Sequence, residues 1–298
     1  MTKALRTVLL YSSGHLGSTL VFNILNTAPE IEIIGVMRAA PIPVNKKGKS
    51  QFFRYIYKIG PHLAWLLMWQ LLVQRFILTV TRFFPLWQDS ALIPCRILAK
   101  RKGIPTFKCR NVNSPEAQKF LEELKPDLII SAYFSQIVAP NILKIPKIGS
   151  INIHPGWLPT YRGAVSYFWA LKNNEQKAGV TIHWMDEGLD TGAIIERKKF
   201  RIAPDATQQE VLVETALIAG RLIQRTARKI LRGKPICPVD VSAEPANYYT
   251  MPTEKEFREY YRGHGYFRIR DILRVARHGI KKRRYRKLRR QARAMGNN

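Results

Sequence analysis

Short apolar runs alternate with longer amphipathic segments along much of the chain. The runs are rich in Val, Ile and Leu and predict strands at 7–12, 31–37, 127–132, 149–154, 179–185 and 193–201. The amphipathic segments predict helices at 17–27, 90–102, 115–124, 164–173 and 206–232. Strands that are apolar on both faces and are separated by helices are typical of α/β proteins. We therefore predict a doubly wound, mostly parallel sheet, in which ligands bind beyond the carboxyl ends of the strands.

Two stretches do not follow this alternation. Residues 40–89 open with a Pro-, Lys- and Gly-rich stretch and continue into a Trp- and Leu-rich run at 62–87. Residues 233–298 begin with several prolines and end in a basic segment of helical tendency. We predict a domain over 1–232 that carries an apolar and basic helical insertion at 40–89. A Pro-broken linker and a basic helical C-terminal extension follow over 233–298.

The charge of the chain is strongly positive. Its 298 residues include 49 Lys and Arg against 21 Asp and Glu, for a formal net charge of +28. Residues 281–293 carry nine of these cations, and 281–298 contain no acid. Such a field attracts nucleic acid, anionic lipid head groups or phosphorylated substrates. A solvated basic surface without a specific partner is the alternative.

The insertion is apolar and free of acidic residues. From Gln51 to Gln88 there is no Asp or Glu, and Trp, Phe and Leu alternate with scattered cations. This composition suits a helix that lies in a membrane interface, and Arg75 and Arg82 argue against a spanning helix. A buried core or lid helix and a dimerisation helix are the alternatives. With the 281–293 tail, the 62–87 helix would supply the two signals that stable attachment to an anionic membrane usually needs.

The cysteines indicate a reducing compartment. Cys95, Cys109 and Cys237 are scattered and form no metal-binding spacing, so we expect no disulfide framework and no metal. The apolar run at 7–11 is too short for a signal peptide. We expect a cytoplasmic protein.

Candidate chemistry follows the predicted strand at 149–154. Asn152 and His154 lie two residues apart, and side chains at that spacing on a strand point to the same face. A second polar cluster, from Asp186 to Gly192, contains Asp190. A carboxamide, an imidazole and a carboxylate together can polarise a carbonyl group and move a proton. These residue types predict acyl transfer.

The two strings INIHPGWLPTYRG at 151–163 and GVTIHWMDEGLDTG at 179–192 resemble the formyltransferase family. That family includes glycinamide ribonucleotide formyltransferase, methionyl-tRNA formyltransferase, amino-sugar N-formyltransferases and formyltetrahydrofolate deformylase. The resemblance extends from about residue 90 to 232 and implies a Rossmann-like formyltransferase fold. It also implies transfer of a formyl group from 10-formyltetrahydrofolate to a primary amine without a metal. The family's catalytic Asn, His and Asp map onto Asn152, His154 and Asp190.

The expected roles of these three residues follow from their chemistry. Asn152 would donate a hydrogen bond to the formyl oxygen as negative charge develops there. His154 would carry the proton between the attacking amine and the departing folate nitrogen. Asp190 would orient His154 and favour its protonated form.

The resemblance assigns further site residues. The implied folate pocket comprises Gln136, Ile137, Val138, Met185, Asp186, Glu187 and Gly188, and the implied acceptor loop comprises Leu158, Pro159, Arg162 and Gly163. The turn after the first strand, with Gly14, His15, Gly17 and Ser18, is a candidate phosphate site, although tight strand-to-helix turns often need glycine anyway. Gly156 stands where many relatives carry serine, and we expect it to loosen its loop.

The acceptor amine is a separate question. A basic protein suits tRNA, but the tRNA enzyme carries an OB-like C-terminal domain where this chain has NYYTMP at 247–252 and a basic tail. The insertion and tail favour work at the inner face of the membrane, and hence a nucleotide- or lipid-linked amino sugar for cell-envelope polysaccharide. The alternatives are a methionyl-tRNA formyltransferase-like enzyme, a formyltetrahydrofolate hydrolase, and a non-catalytic membrane- or RNA-binding protein. The oligomeric state stays open.

Overall fold

The computed structural model describes residues 4–39, 93–264 and 268. Between 40 and 92 it describes Gly60, Ala64, Trp65, Met68, Trp69, Leu72 and Phe76. The predicted 281–293 tail and most of the predicted insertion at 40–89 therefore lie outside the described residues.

The strands and helices follow one another in the predicted alternation. The strands are β1 Leu5–Ser12, β2 Ile31–Ala39, β3 Thr106–Cys109, β4 Leu128–Ala132, β5 Gly149–His154, β6 Arg162–Gly163, β7 Lys177–Trp184, β8 Ile194–Arg201 and β9 Tyr248–Tyr249. The helices are α1 Leu16–Leu25, α2 Cys95–Arg101, α3 Pro115–Leu124, α4 Pro140–Leu143, α5 Ser166–Lys172, α6 Gln208–Leu231 and α7 Glu254–Tyr261.

The described strands form a seven-stranded sheet in the order β3-β2-β1-β4-β5-β7-β8. The first five strands in this order are parallel, and β7 and β8 are antiparallel to their neighbours. The prediction of a doubly wound, mostly parallel sheet is confirmed. β3 and the two-residue strands β6 and β9, which pair with each other, were not predicted because such short segments carry no periodicity.

Both faces of the sheet are covered, as strands without polar alternation require. On β1, Leu9 packs into one core cluster together with α1, α2 and α6, while Val8 and Leu10 pack into the cluster beneath α3 and α4. Helix α6 approaches α1 closely at Gly220, where a β-carbon would lie 2.7 Å from Ile24. Helices thus cover the central strands on both faces. The carboxyl ends of these parallel strands lie together at one end of the sheet.

A third core cluster joins the region after α6 to the sheet-bearing part of the chain. Phe257 and Tyr260 of α7 are buried against Phe168 of α5, with ring centroids 4.7 and 5.5 Å from that of Phe168. Helix α7 begins at a capping box in which Thr253 and Glu256 satisfy each other's backbone N–H groups. Part of the predicted 233–298 extension thus folds onto the residues that precede it.

None of the helices among the described residues combines the length and apolar character needed to cross a bilayer.

Candidate active site

A pocket of about 540 Å³ opens at the carboxyl ends of β1, β4 and β5. Its walls come from five segments: the β1–α1 turn, the loop at 133–138, residues 163–167, the loop at 185–190 and the segment around Tyr248. The volume lies within the range of small-molecule sites, and the position is the one where open α/β sheets bind their ligands.

The structure brings Asn152, His154 and Asp190 together at the floor of this pocket. Asn152 and His154 both lie at the end of β5, and Asp190 reaches them from the loop after β7. The Asn152 amide nitrogen lies 3.3 Å from Asp190 Oδ1, and His154 Nδ1 lies 3.3 Å from Asp190 Oδ2. The backbone N–H of Gly163 also donates to Asp190 Oδ2 at 3.0 Å. The Asp190 carboxylate therefore holds the Asn152 and His154 side chains in place.

Both ring nitrogens of His154 face acceptor oxygens. Nε2 lies 2.6 Å from the Tyr161 carbonyl oxygen, while Nδ1 faces Asp190. The Ser166 hydroxyl lies 3.0 Å from Nε2 and also donates to the Tyr161 carbonyl at 3.2 Å. A neutral imidazole has only one N–H, so it can donate to only one of these two oxygens at a time.

The surroundings of Asp190 keep it ionised. Burial by itself raises the pKa of this carboxyl, whose side chain is only 7% exposed. The imidazoles of His154 and His183 outweigh that effect and hold the pKa well below its usual range. A carboxylate between two imidazoles is equipped to stabilise a proton on either ring.

His183 is a fourth member of this cluster, and the sequence analysis gave it no role. It lies on β7 directly opposite Asn152 of β5. Its Nε2 lies 3.2 Å from the Asn152 amide nitrogen and 3.5 Å from Asp190 Oδ1, and its Nδ1 lies 2.8 Å from the Trp184 carbonyl oxygen. The Asn152 amide thus has two internal partners, and a formyl oxygen would have to replace one of them. The sequence predicted a strand at the position of His183, but it did not predict the register that pairs His183 with Asn152.

A segment after α6, residues 244–251, closes the pocket on one side, and we call it the strap. Its Tyr249 carbonyl accepts from the N–H of Ala164, and its Thr250 carbonyl accepts from the Trp169 indole at 3.0 Å. The Tyr249 ring stacks on the Tyr161 ring at 5.1 Å. Tyr248, Thr250 and Met251 line the pocket.

The Glu244 carboxylate fastens the start of the strap to β8. It accepts a hydrogen bond from the Arg197 guanidinium at 2.8 Å and another from the Trp157 indole at 2.9 Å. The Arg197 guanidinium also lies over the Trp157 ring, 4.0 Å from its centroid.

A family profile described as "Formyl transferase" matches residues 87–226, which include all of this cluster. Residues 87–226 belong to the formyl transferase family. The chain is 36% identical over 166 residues to a methionyl-tRNA formyltransferase of Synechococcus sp. strain JA-3-3Ab, covering 55% of this chain and 51% of that protein. The chain thus spans about half the length of the curated relatives it matches.

Solved structures share the fold over a longer stretch. A sugar N-formyltransferase from Shewanella sp. FDAARGOS_354 matches with a TM-score of 0.53 and 18% identity over 88% of this chain and 90% of that one. The sugar 3N-formyl transferase WlaRD, solved in the presence of dTDP and 5-N-formyl-THF, matches with a TM-score of 0.50 and 17% identity over 83% and 70%. At this identity the likeness establishes the formyltransferase fold.

Most of the predicted folate-pocket residues of this formyl transferase domain line the pocket. They are Gln136, Ile137, Val138, Met185, Asp186 and Gly188, whereas Glu187 is exposed and does not line it. The Gln136 amide accepts from the N–H of Val112 at 2.7 Å and donates to the Arg110 carbonyl at 3.2 Å, so this side chain holds its own loop in place. Asp186 does the same for the second loop by accepting from Thr191 at 2.7 Å. Their predicted part in folate binding stays a prediction.

The predicted acceptor loop divides into two groups. Gly163 lines the pocket, whereas Leu158 is buried beneath it and is held by Thr181 and Arg197, and Pro159 does not line it. The Arg162 guanidinium donates to the Leu189 carbonyl at 3.0 Å and so ties the acceptor loop to the Asp190 loop. Contact of Leu158, Pro159 or Arg162 with the acceptor stays a prediction.

The packing around Gly156 differs from the expectation that this glycine loosens its loop. A β-carbon at this position would lie 2.6 Å from the Ser166 β-carbon and 2.7 Å from His154 Nε2. The glycine therefore leaves no free space, because Ser166 and the His154 ring occupy it. That expectation was wrong: the absent side chain permits close packing behind His154.

The predicted phosphate residues also divide into two groups. Gly14 and His15 line the pocket, whereas Gly17 lies against the Tyr133 ring and the Ser18 hydroxyl donates to the Ala132 carbonyl at 2.7 Å. Burial lowers the pKa of His15 to about 4, so its ring is neutral at neutral pH and adds no positive charge. An anion here would rely on backbone N–H groups, and the phosphate role stays a prediction.

The described residues contain no group of three His, Cys, Asp or Glu side chains placed to hold a metal ion.

Proposed function

We propose that this chain is an N-formyltransferase that moves a formyl group from 10-formyltetrahydrofolate to a primary amine. The observation that carries the proposal is the convergence of Asn152, His154 and Asp190 at the floor of a pocket within a formyl transferase domain. The donor class is supported by WlaRD, whose structure was solved in the presence of 5-N-formyl-THF.

The cluster can supply each step of this transfer. The amine nitrogen attacks the formyl carbon, and negative charge develops on the formyl oxygen, where the Asn152 amide or a protonated His154 would donate a hydrogen bond. His154 passes a proton towards the departing folate nitrogen as the C–N bond breaks, and the amine proton is lost to the same ring or to water. Asp190, which is ionised, stabilises the imidazolium throughout.

We propose an amino sugar, linked to a nucleotide or a lipid, as the acceptor. The strap presents a Tyr248 ring that is 58% exposed and a Met251 side chain that is 40% exposed, and both line the pocket. An exposed aromatic ring beside a polar cluster suits a sugar ring, whose carbon face is apolar and whose substituents are polar. The Shewanella structure is named as a sugar N-formyltransferase.

Methionyl-tRNA is the second candidate acceptor. The net charge of +28 favours a polyanion, and the curated relative from Synechococcus is named as a methionyl-tRNA formyltransferase. A substrate such as tRNA has to contact cations around the mouth of the pocket, so this candidate predicts steeply salt-dependent turnover.

An acceptor panel separates these candidates. The chain is incubated with 10-formyltetrahydrofolate and, in turn, nucleotide-linked amino sugars, methionyl-tRNA and no amine, and tetrahydrofolate release is followed. We expect release that depends on an amino sugar. Release with methionyl-tRNA alone would favour the second candidate, and equal release without amine would indicate a hydrolase. No release under any condition would contradict formyl transfer.

We further propose that the enzyme works in the cytoplasm at the inner face of the membrane, where sugars of the cell envelope are assembled. The support is the excess of positive charge and the apolar, acid-free composition of 51–88.

A further inference from the structure

Four large apolar side chains between residues 65 and 76 are exposed. Trp65 is 60% exposed, Met68 53%, Leu72 47% and Phe76 63%, and all four residues are helical. In an α-helix, a spacing of three, four and four residues puts side chains on the same side. We call these four residues the apolar row. Soluble surfaces rarely expose so many large apolar side chains together, and such patches mark interaction sites.

Two other helical residues of this stretch, Gly60 and Ala64, contact the rest of the protein. Ala64 packs against the core cluster that contains Phe257 and Tyr260 of α7. Gly60 is buried and its α-carbon lies against the Glu254 side chain, so a β-carbon there would collide. Because α7 begins soon after the strap ends at Met251, Gly60 and Ala64 lie near the strap, on the side of the pocket that we propose for the acceptor.

The charges in the sequence on either side of the apolar row decide between its occupants. No acidic residue occurs from 51 to 88, while Arg54, Lys58, Arg75 and Arg82 lie in that stretch. A second copy of the chain would bring the same cations and the same net charge of +28 against these, which opposes association. A membrane surface with anionic head groups supplies both an apolar boundary for the row and negative charge for the cations.

We infer that the apolar row of Trp65, Met68, Leu72 and Phe76 inserts into the head-group boundary of an anionic membrane. This contact would hold the acceptor side of the pocket near the bilayer surface. The inference refines the proposed location and does not depend on which amine is formylated.

Vesicle flotation with the full-length chain tests the inference. The vesicles contain phosphatidylcholine with or without phosphatidylglycerol, and the variant W65S/F76S is compared with the wild type. We expect the wild type to float with the phosphatidylglycerol vesicles, with binding that weakens as salt is raised. Loss of the two rings should weaken binding at least about tenfold, because each buries a large apolar area in the interface.

The matched control is Ile148→Ser, which removes an apolar side chain that is 41% exposed and lies just before β5. It should bind vesicles as the wild type does. Thermal unfolding of W65S/F76S should stay close to that of the wild type because both side chains are exposed. Absence of wild-type binding, or equal binding by W65S/F76S, would overturn the inference.

The remaining outcomes are also decisive. A wild-type dimer that becomes monomeric in W65S/F76S, without vesicle binding, would assign the apolar row to a second copy and overturn the inference. Formyl transfer to a soluble amine is measured in parallel. If neither the wild type nor any variant transfers the formyl group, but vesicle binding still depends on the apolar row, the proposed function fails and the inference stands.

Discussion

Asp190 is the residue on which the cluster depends. Its two carboxylate oxygens contact His154, Asn152, His183 and the backbone of Gly163. These contacts join β5, β7 and the loop around 163 through one side chain that is almost fully buried. Removing its charge would leave the two imidazoles without the carboxylate that lies between them.

Replacement of Asp190 by Asn is expected to lower turnover by at least about a hundredfold, because His154 loses the group that favours its proton. Stability should change with pH as well. Since the folded-state pKa of Asp190 lies below its unfolded value, the carboxylate stabilises the fold above about pH 3.9 and loses this contribution as the pH falls further. Urea unfolding of the wild type and of D190N at neutral and acidic pH measures the difference. A stability gap that does not shrink in acid would contradict the assigned pKa direction.

Gly156→Ala tests the packing behind His154. The new β-carbon would meet both Ser166 and the His154 ring, so we expect a loss of about 1–3 kcal/mol in stability together with reduced turnover. Adding Ser166→Gly should restore stability more than turnover, because the contact with the ring itself persists. Gly263→Ala is the control, since a β-carbon there meets no other atom within 4 Å. Full activity in G156A would show that the loop has free space after all.

At the level of single residues, the sequence was informative where two signals coincided. Asn152 and His154 were predicted because a strand pattern and a spacing of two residues together put them on one face, and the structure brings them together with Asp190. His183 and Ser166 were not predicted as neighbours of the cluster. Their positions depend on the β5–β7 register and on the packing of α5, which are tertiary properties.

At the level of elements, the strap forms one wall of the pocket, the wall that we propose for the acceptor. It pairs with β6 as β9, and Glu244 joins it to Arg197 of β8. The Arg197 side chain is only 10% exposed, so this ion pair is better shielded from solvent than those on the surface. Breaking the ion pair between Arg197 and Glu244 should therefore release the strap from β8.

Arg197→Ala is expected to raise KM for the acceptor several-fold, with little change in KM for the folate donor. The guanidinium also bonds the Leu158 carbonyl and covers Trp157, so stability should fall by about 1–3 kcal/mol. The control is Arg225→Ala, which removes an ion pair to Glu196 from a side chain that is 53% exposed and should cost about 0–1 kcal/mol. Steady-state kinetics with each substrate varied in turn measure the effect. Equal changes in both KM values would contradict the assignment of the strap to the acceptor side.

The long elements could be predicted from the sequence, and the short ones could not. Strands such as β1 and β4 are buried on both faces and show it as apolar runs, at 8–11 and 128–130. β6 and β9 have two residues each, and they pair only because the strap folds back onto residues 162–164. For the same reason the region after residue 233 was predicted as a linker and extension, although the strap and α7 pack against the preceding residues.

At the level of the whole molecule, a mostly parallel sheet carries a polar cluster at the carboxyl ends of its strands, and the chain has a large positive charge. The cluster and the strands from β3 to β8 lie within the residues that match the formyl transferase profile, whereas β1 and β2 lie outside them. The strap and the apolar row, which we propose for the acceptor and the membrane, lie outside them as well. The reacting groups and these proposed contacts therefore come from different parts of the chain.

The most direct test of formyl transfer by this cluster is a single-turnover experiment with 10-formyltetrahydrofolate labelled in the formyl carbon and an amino-sugar nucleotide. With the wild type we expect label on the sugar nitrogen. For His154→Ala we expect a loss of about a hundred- to ten-thousandfold in rate, and for His264→Ala, which removes an exposed imidazole outside the pocket, we expect wild-type rates. Transfer of the label by His154→Ala as fast as by the wild type, or an amine that never acquires it, would contradict formyl transfer by this cluster.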